Sequence, residues 1–255
     1  MNDSAITFCN VNKMYPRYYH ITGVKNLLFH PLREFRAFRR SRFEAIRDIS
    51  FEVKRGETFG VIGRNGAGKS TMLGLMAGVL RPTRGKVSVN GRTSPLLELG
   101  AGFHHDLTGR ENIILNGVLL GLTRAEILNK LEEIIDFSEL GEFCDQPVRI
   151  YSSGMLARLG FSVVAHLEPE ILLIDEILAV GDVEFQRKCI AKMTSFKERG
   201  VTMVFVSHSM EDVRRICTRV MWIENHELQM IGAPSKVVEA YLKAHGGQSI
   251  GAEPL

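Results

Sequence analysis

The sequence predicts an α/β fold built on a largely parallel central sheet, with a helical segment inserted into it. Two observations carry that prediction. Short apolar runs alternate along the chain with helix-like stretches, the pattern that strand–helix–strand units impose. Two of the runs, Glu170-Ile171-Leu172-Leu173-Ile174-Asp175 and Thr202-Met203-Val204-Phe205-Val206, are nearly all apolar, as strands covered on both faces require.

Taken in order, Ile6 to Val11 and Asp48 to Val53 alternate like half-buried strands. Thr58 to Ile62 is a short β-rich apolar run, and Met72 to Ala77 has helical character. From about Glu111 to Leu167 the pattern is helical, with Arg124 to Ile135 the clearest amphipathic stretch. The buried strands 170–175 and 202–206 follow, and Pro234 to Lys243 begins as a capped helix. Residues 246–255 read as a frayed tail, with no second C-terminal domain expected. The resulting expectation is one domain over residues 1–245, with a helical subdomain at about 98–167.

Composition excludes several classes. A net charge of +3 gives no bulk electrostatic case for nucleic acid. Cys9, Cys144, Cys189 and Cys217 form no C-x-x-C pair, so neither zinc nor a disulfide framework is expected, and a reducing compartment is. The N-terminus lacks a signal-peptide pattern and no apolar run approaches bilayer length. If the protein works at a membrane, another chain provides the span.

Between the strand 58–62 and the following helix lies Gly63-Arg64-Asn65-Gly66-Ala67-Gly68-Lys69-Ser70-Thr71. It fits G-x-x-x-x-G-K-[ST], the phosphate-binding P-loop pattern, in the strand-to-helix context that the pattern needs. Glycines let successive N–H groups point into one concavity, and a helix N-terminus adds unsatisfied donors and a positive dipole end. Lys69 would reach the β- and γ-phosphates of a nucleoside triphosphate, Ser70 would ligate Mg²⁺, and Thr71 would help to hold the phosphates.

Ligands of open α/β sheets bind outside the carboxyl ends of the strands. Asp175 ends one buried strand and is placed to ligate the same Mg²⁺. Glu176 comes next, where a carboxylate can orient or deprotonate the water that attacks the γ-phosphate. His208 follows the other buried strand; an imidazole there can donate a hydrogen bond to the γ-phosphate. The segment Tyr151-Ser152-Ser153-Gly154-Met155 opens a further helix with small hydroxyl residues and a glycine.

Together these motifs resemble the ATP-binding-cassette family over about Ile6 to Tyr241, in which the signature segment is usually written L-S-G-G-Q. This chain has Tyr151, Ser153 and Met155 in place of the Leu, the first Gly and the Gln. The resemblance implies a P-loop ATPase core with a mostly parallel sheet and a small antiparallel β part. It also implies a head-to-tail homodimer, in which ATP lies between one P-loop and the Ser152-Ser153-Gly154 of the other subunit. Tyr15 resembles the aromatic that stacks on adenine, Asp182 the residue of the loop that crosses the dimer interface, and Glu98 the substitute for the usual metal-contacting Gln.

Three stretches, LLELGAGFHHDLTGRENI (96–113), YSSGMLARLGFSV (151–163) and DEILAVGDVEF (175–185), resemble the ATPases of bacterial polysaccharide exporters for O-antigen, capsule or teichoic acid. That implies ATP and Mg²⁺ as cofactors and an integral membrane permease dimer as partner. It further implies a lipid-linked polysaccharide as substrate of the complex, no nucleic acid, and a peripheral place on the cytoplasmic face of the inner membrane. A non-transport cassette ATPase acting on nucleic acid or ribosomes, and a non-hydrolysing regulatory subunit, are the competing readings. Between residues 16 and 45 lies a basic segment, with Arg17, Lys25, Arg33, Arg36, Arg39, Arg40 and Arg42 against Glu34. Tyr18, Tyr19, Phe29, Phe35, Phe38 and Phe43 are interleaved, which suits a membrane surface or an acidic partner such as a lipid-pyrophosphate headgroup region.

Overall fold

A run that is apolar at every position has to be covered on both sides, and strands of that composition form the centre of this structure. The computed structural model describes residues 3–16, 42–96, 102–175 and 181–246. In chain order these form β1 (Ser4–Pro16), β2 (Arg42–Lys54), β3 (Thr58–Ile62), α1 (Lys69–Met76), β4 (Arg84–Val89) and β5 (Thr93–Leu96). Next come α2 (Gly109–Leu119), α3 (Arg124–Asn129), α4 (Leu131–Ser138), two 3₁₀ turns (Gly141–Asp145 and Val148–Ile150) and α5 (Ser153–Ala165). The chain then runs through β6 (Ile171–Asp175), α6 (Val183–Glu198), β7 (Thr202–Val206), α7 (Met210–Ile216), β8 (Arg219–Glu224), β9 (Glu227–Gly232) and α8 (Pro234–Ala244).

The strands form two sheets. The larger has the order β5-β6-β7-β3-β8-β9. Every pairing in it is parallel except β8 with β9, which closes antiparallel from Val220 opposite Gly232 to Glu224 opposite Glu227. The smaller, β2-β1-β4, is antiparallel throughout.

Side chains of a strand alternate between faces, and the core divides accordingly. Ile171, Leu173, Val204, Val206, Phe59 and Val61 face α1 and the small sheet, whose Ile6, Phe8, Ile46 and Phe51 complete that layer. A column of rings, Phe8 on Phe51 at 4.7 Å and Phe51 on Phe59 at 5.4 Å, joins the two sheets. Leu172, Ile174, Met203 and Phe205 face the other way, onto Phe161 of α5, Phe185 and Phe196 of α6, Val213 of α7 and Val237 of α8. Each such fully buried side chain contributes about 1.5–3 kcal/mol, so the layers fix the strand ends that carry the site.

The α/β class and the largely parallel sheet are as the sequence predicts; several boundaries differ. The amphipathic stretch 124–135 is two helices, divided at Lys130, which closes the first and opens the second at φ −99° and whose Nζ donates to the His166 carbonyl at 3.1 Å. The basic segment expected over 16–45 is shorter at both ends, because Pro16 closes β1 and Arg42 to Ala45 open β2. Its remainder, 17–41, lies outside the described residues, as do 247–255 of the expected tail. Among the described residues no helix is long and apolar enough to cross a membrane.

Candidate functional site

The site begins with the turn between β3 and α1. Gly63 adopts φ +155°, and a Cβ there would lie 2.2 Å from the Ile223 carbonyl oxygen. Gly68 adopts φ +111°, and its Cβ would lie 2.5 Å from the Ala45 carbonyl oxygen. Neither position accepts a side chain, so the loop is pressed between β8 and β2. Lys69 is 7% exposed and its ammonium donates to the carbonyls of Gly63 at 2.8 Å and Arg64 at 3.1 Å. The positive charge is thereby centred over the loop.

Helices α2, α3, α5 and α6 each open on a side-chain cap: Thr108, Thr123, Ser152 and Asp182 accept from the third residue onward. Helix α1 has none; its N-cap is Gly68. Its first-turn donors and dipole end therefore face the loop, the arrangement that anions occupy.

Two further strand ends meet this helix start. Asp175 ends β6, opposite Val206 of β7 in register. His208 follows Val206 by two residues. A cavity of about 460 Å³ is lined by Asn65, Gly66, Gly68, Lys69, Ser70, Thr71, Asp175 and His208, together with Phe43 and Ala45 of β2. The size is that of a small-molecule site. The Ser70 hydroxyl and the Asp175 carboxylate both border it, hard oxygen donors that suit a hydrated Mg²⁺, with Lys69 beside them for the phosphate charge.

Of the other residues expected in the site, Ser152, Ser153, Gly154 and Asp182 do not line this cavity. Ser152 caps α5 by accepting from the Met155 N–H at 3.2 Å. Ser152 and Ser153 are exposed, and only the Ser152 Oγ, at 3.8 Å, lies near the position of a Cβ on Gly154. Tyr151 in the leucine position is buried and donates to the Phe143 carbonyl at 2.5 Å; burial pushes its hydroxyl up to about 12. That bond anchors the α5 start to the 3₁₀ turn.

Asp182 caps α6 by accepting from the Phe185 N–H at 3.0 Å and takes an ion pair from Arg158 of α5 at 2.5 Å. The Phe185 N–H, joined by the Arg158 charge, holds its carboxyl below the usual aspartate range. Arg158 also pairs with Glu139 at 2.9 Å, and Glu139 pairs with Lys188 of α6. Nothing in the sequence motifs singles out Arg158. Tyr15 stands opposite Phe43 in the β1–β2 register and does not line the cavity, whereas Phe43 does. Glu98 and Glu176 lie outside the described residues.

A family model described as "ABC transporter" matches residues 46–179. The chain is 58% identical, over 95% of its length and 99% of the relative's, to the O-antigen export system ATP-binding protein RfbB of Klebsiella pneumoniae. It is 42% identical, over 92% of its length and 69% of the relative's, to the teichoic acids export ATP-binding protein TagH of Listeria monocytogenes. Among solved structures, a dimeric ATP-binding cassette bound to ADP and phosphate in a post-hydrolysis state superimposes with a TM-score of 0.72. That match is 20% identical and covers 90% of this chain and 98% of that one, which makes it a likeness of fold.

Proposed function

The chain belongs to the ABC transporter family, and from that membership we propose that it hydrolyses ATP to power export of a lipid-linked polysaccharide of O-antigen type. The polysaccharide crosses the bacterial inner membrane through a separate transmembrane subunit. The observation that carries this reading is the convergence of the glycine loop, Asp175 and His208 on one cavity of about 460 Å³ at the carboxyl ends of parallel strands. Similarity to an O-antigen export ATPase along nearly the whole of both chains supports the cargo class.

In this reading the Gly63 to Thr71 backbone and the uncapped start of α1 cradle the triphosphate, and Lys69 holds its β- and γ-oxygens. Ser70 and Asp175 would hold Mg²⁺, which neutralises charge on those phosphates. Glu176 takes the proton of the attacking water as the γ-phosphorus–oxygen bond to ADP breaks, and His208 donates a hydrogen bond to the departing phosphate. Residues 1–245 act as one ATPase domain with the helical subdomain at about 98–167.

Ser152, Ser153, Gly154 and Asp182 lie off the chain's own cavity, which supports a head-to-tail homodimer whose second copy supplies them. Similarity to the ATP-binding protein of an export system supports an integral membrane permease as partner, with the ATPase peripheral on the cytoplasmic face. Similarity to a teichoic acids exporter supports a second cargo with the same enzymology.

The test is complementation of an O-antigen strain that lacks its own exporter ATPase, together with assay of ATP turnover. Wild-type chain restores surface polysaccharide and Lys69→Ala does not, with turnover lowered at least about tenfold, as befits loss of a full charge on the transferred phosphate. Equal export by the two chains would refute the reading.

A further inference from the structure

We infer that the last turn of α8 braces the phosphate loop, and that His245 is a positioning residue for nucleotide binding that acts through Glu224. The inference rests on the ATP-binding reading above and concerns two residues that no motif of the site contains.

Helix α8 begins two residues after Gly232, which pairs with Val220, and ends with His245 against Glu224, so it runs the length of β8. Its end is packed as well as charged. Tyr241 meets Trp222 edge-on at 5.7 Å and 84°, and the His245 ring lies 4.6 Å from that of Tyr241 and 6.1 Å from that of Trp222. His245 Nε2 stands 3.3 Å from the Glu224 carboxylate, with the two side chains 17% and 21% exposed. The contact is close enough for an ion pair yet out of line for a hydrogen bond, so its strength follows the charge on the imidazole.

The same strand walls the phosphate loop. Trp222 pairs with Ile62, the residue before Gly63, and the next carbonyl, that of Ile223, fills the space that a Cβ on Gly63 would need. Arg64 then joins the loop to the helix. Its carbonyl accepts from the Lys69 ammonium at 3.1 Å, and its guanidinium charge acts on the Tyr241 hydroxyl, which burial and then Glu224 push up and Arg64 draws down. A shift of the α8 end is thus felt at the carbonyls that centre Lys69. Other charges on α8 are engaged elsewhere: Glu239 pairs with Lys243 at 2.7 Å and feels Arg214 of α7. Among the described residues Glu224 is the carboxylate that meets His245. An anion bound at the loop adds negative charge beside Arg64 and favours the protonated imidazole, and by reciprocity the protonated imidazole favours the anion.

Trp222 is the only tryptophan of the chain, and an imidazolium quenches a neighbouring indole more strongly than the neutral ring does, so its emission reads this corner. Imidazole charge ordinarily changes between about pH 5 and 8. In the full chain the emission should fall in one step as pH drops through that range. Saturating MgATP should move the step up by about half a pH unit, with ATP bound about threefold tighter below the step than above it. His245→Gln should remove the step and that part of the pH dependence of ATP affinity, and Glu224→Gln should shift the step down. A wild-type chain with no step, a step that MgATP leaves in place, or a His245→Gln chain whose ATP affinity follows pH as the wild type does would overturn the inference. Absence of MgATP binding at every pH would refute the ATP-binding reading itself.

Discussion

Arg158 holds three separate pieces of the chain together: its own helix α5, Glu139 at the end of α4, and Asp182 at the start of α6. Its guanidinium also lies over the Phe185 ring at 4.9 Å and its side chain is 16% exposed, so the fork is packed as well as paired. Glu139 and Asp182 are held below their ordinary carboxyl values, the first chiefly by Lys188 and the second chiefly by the Phe185 N–H, with Arg158 adding to both. A depressed carboxyl stabilises the fold above its unfolded value and loses that contribution as pH falls through the folded one, which places the loss below about pH 4. Arg158→Ala should therefore lower Tm at pH 7 and make its decline below about pH 4 shallower; Tm curves of variant and wild type that run parallel below that pH would show that the cluster does not act. Motif residues such as Lys69 and Asp175 were legible because their spacing is local. Phe43 and Arg158 were not, since each acquires its place only through pairing with segments distant in sequence.

At the level of elements, the arms of β1 and β2 meet at Pro16 opposite Arg42 and stay paired down to Ser4 opposite Lys54. A pair in that register can be closed by a two-residue turn. Replacing residues 17–41 with Asn-Gly should keep the hairpin, retain Phe43, leave ATP affinity within about twofold and abolish export, if the basic aromatic segment serves the membrane partner or headgroup. Export that survives the replacement would dismiss that role, and ATP affinity lost along with it would assign the segment to the ATPase. The buried strands β6 and β7 were readable from composition alone. Strand β5 was not: Pro95 removes a ladder donor, which only an edge position tolerates, and edge position is invisible before the sheet is assembled. The β8–β9 hairpin turns on Asn225 and His226 at φ +50° and +70°, a left-handed pair without the glycine that announces such turns. The division at Lys130 was hidden because apolar periodicity continues across it.

For the whole molecule, the proposed homodimer turns on residues that lie off the cavity. The cavity gathers a phosphate loop, an acidic strand end and a histidine from one chain, while the α5 start and Asp182 stand apart from it. A second copy related head to tail would close the site with its own Ser152, Ser153 and Gly154, and cleavage of ATP would release it. Light-scattering chromatography of Glu176→Gln, with and without ATP, tests this most directly. A stable dimer with ATP, a monomer without it, and turnover reduced at least about a hundredfold from loss of the general base are expected. A variant that stays monomeric in saturating ATP, or turns ATP over at the wild-type rate, would contradict it.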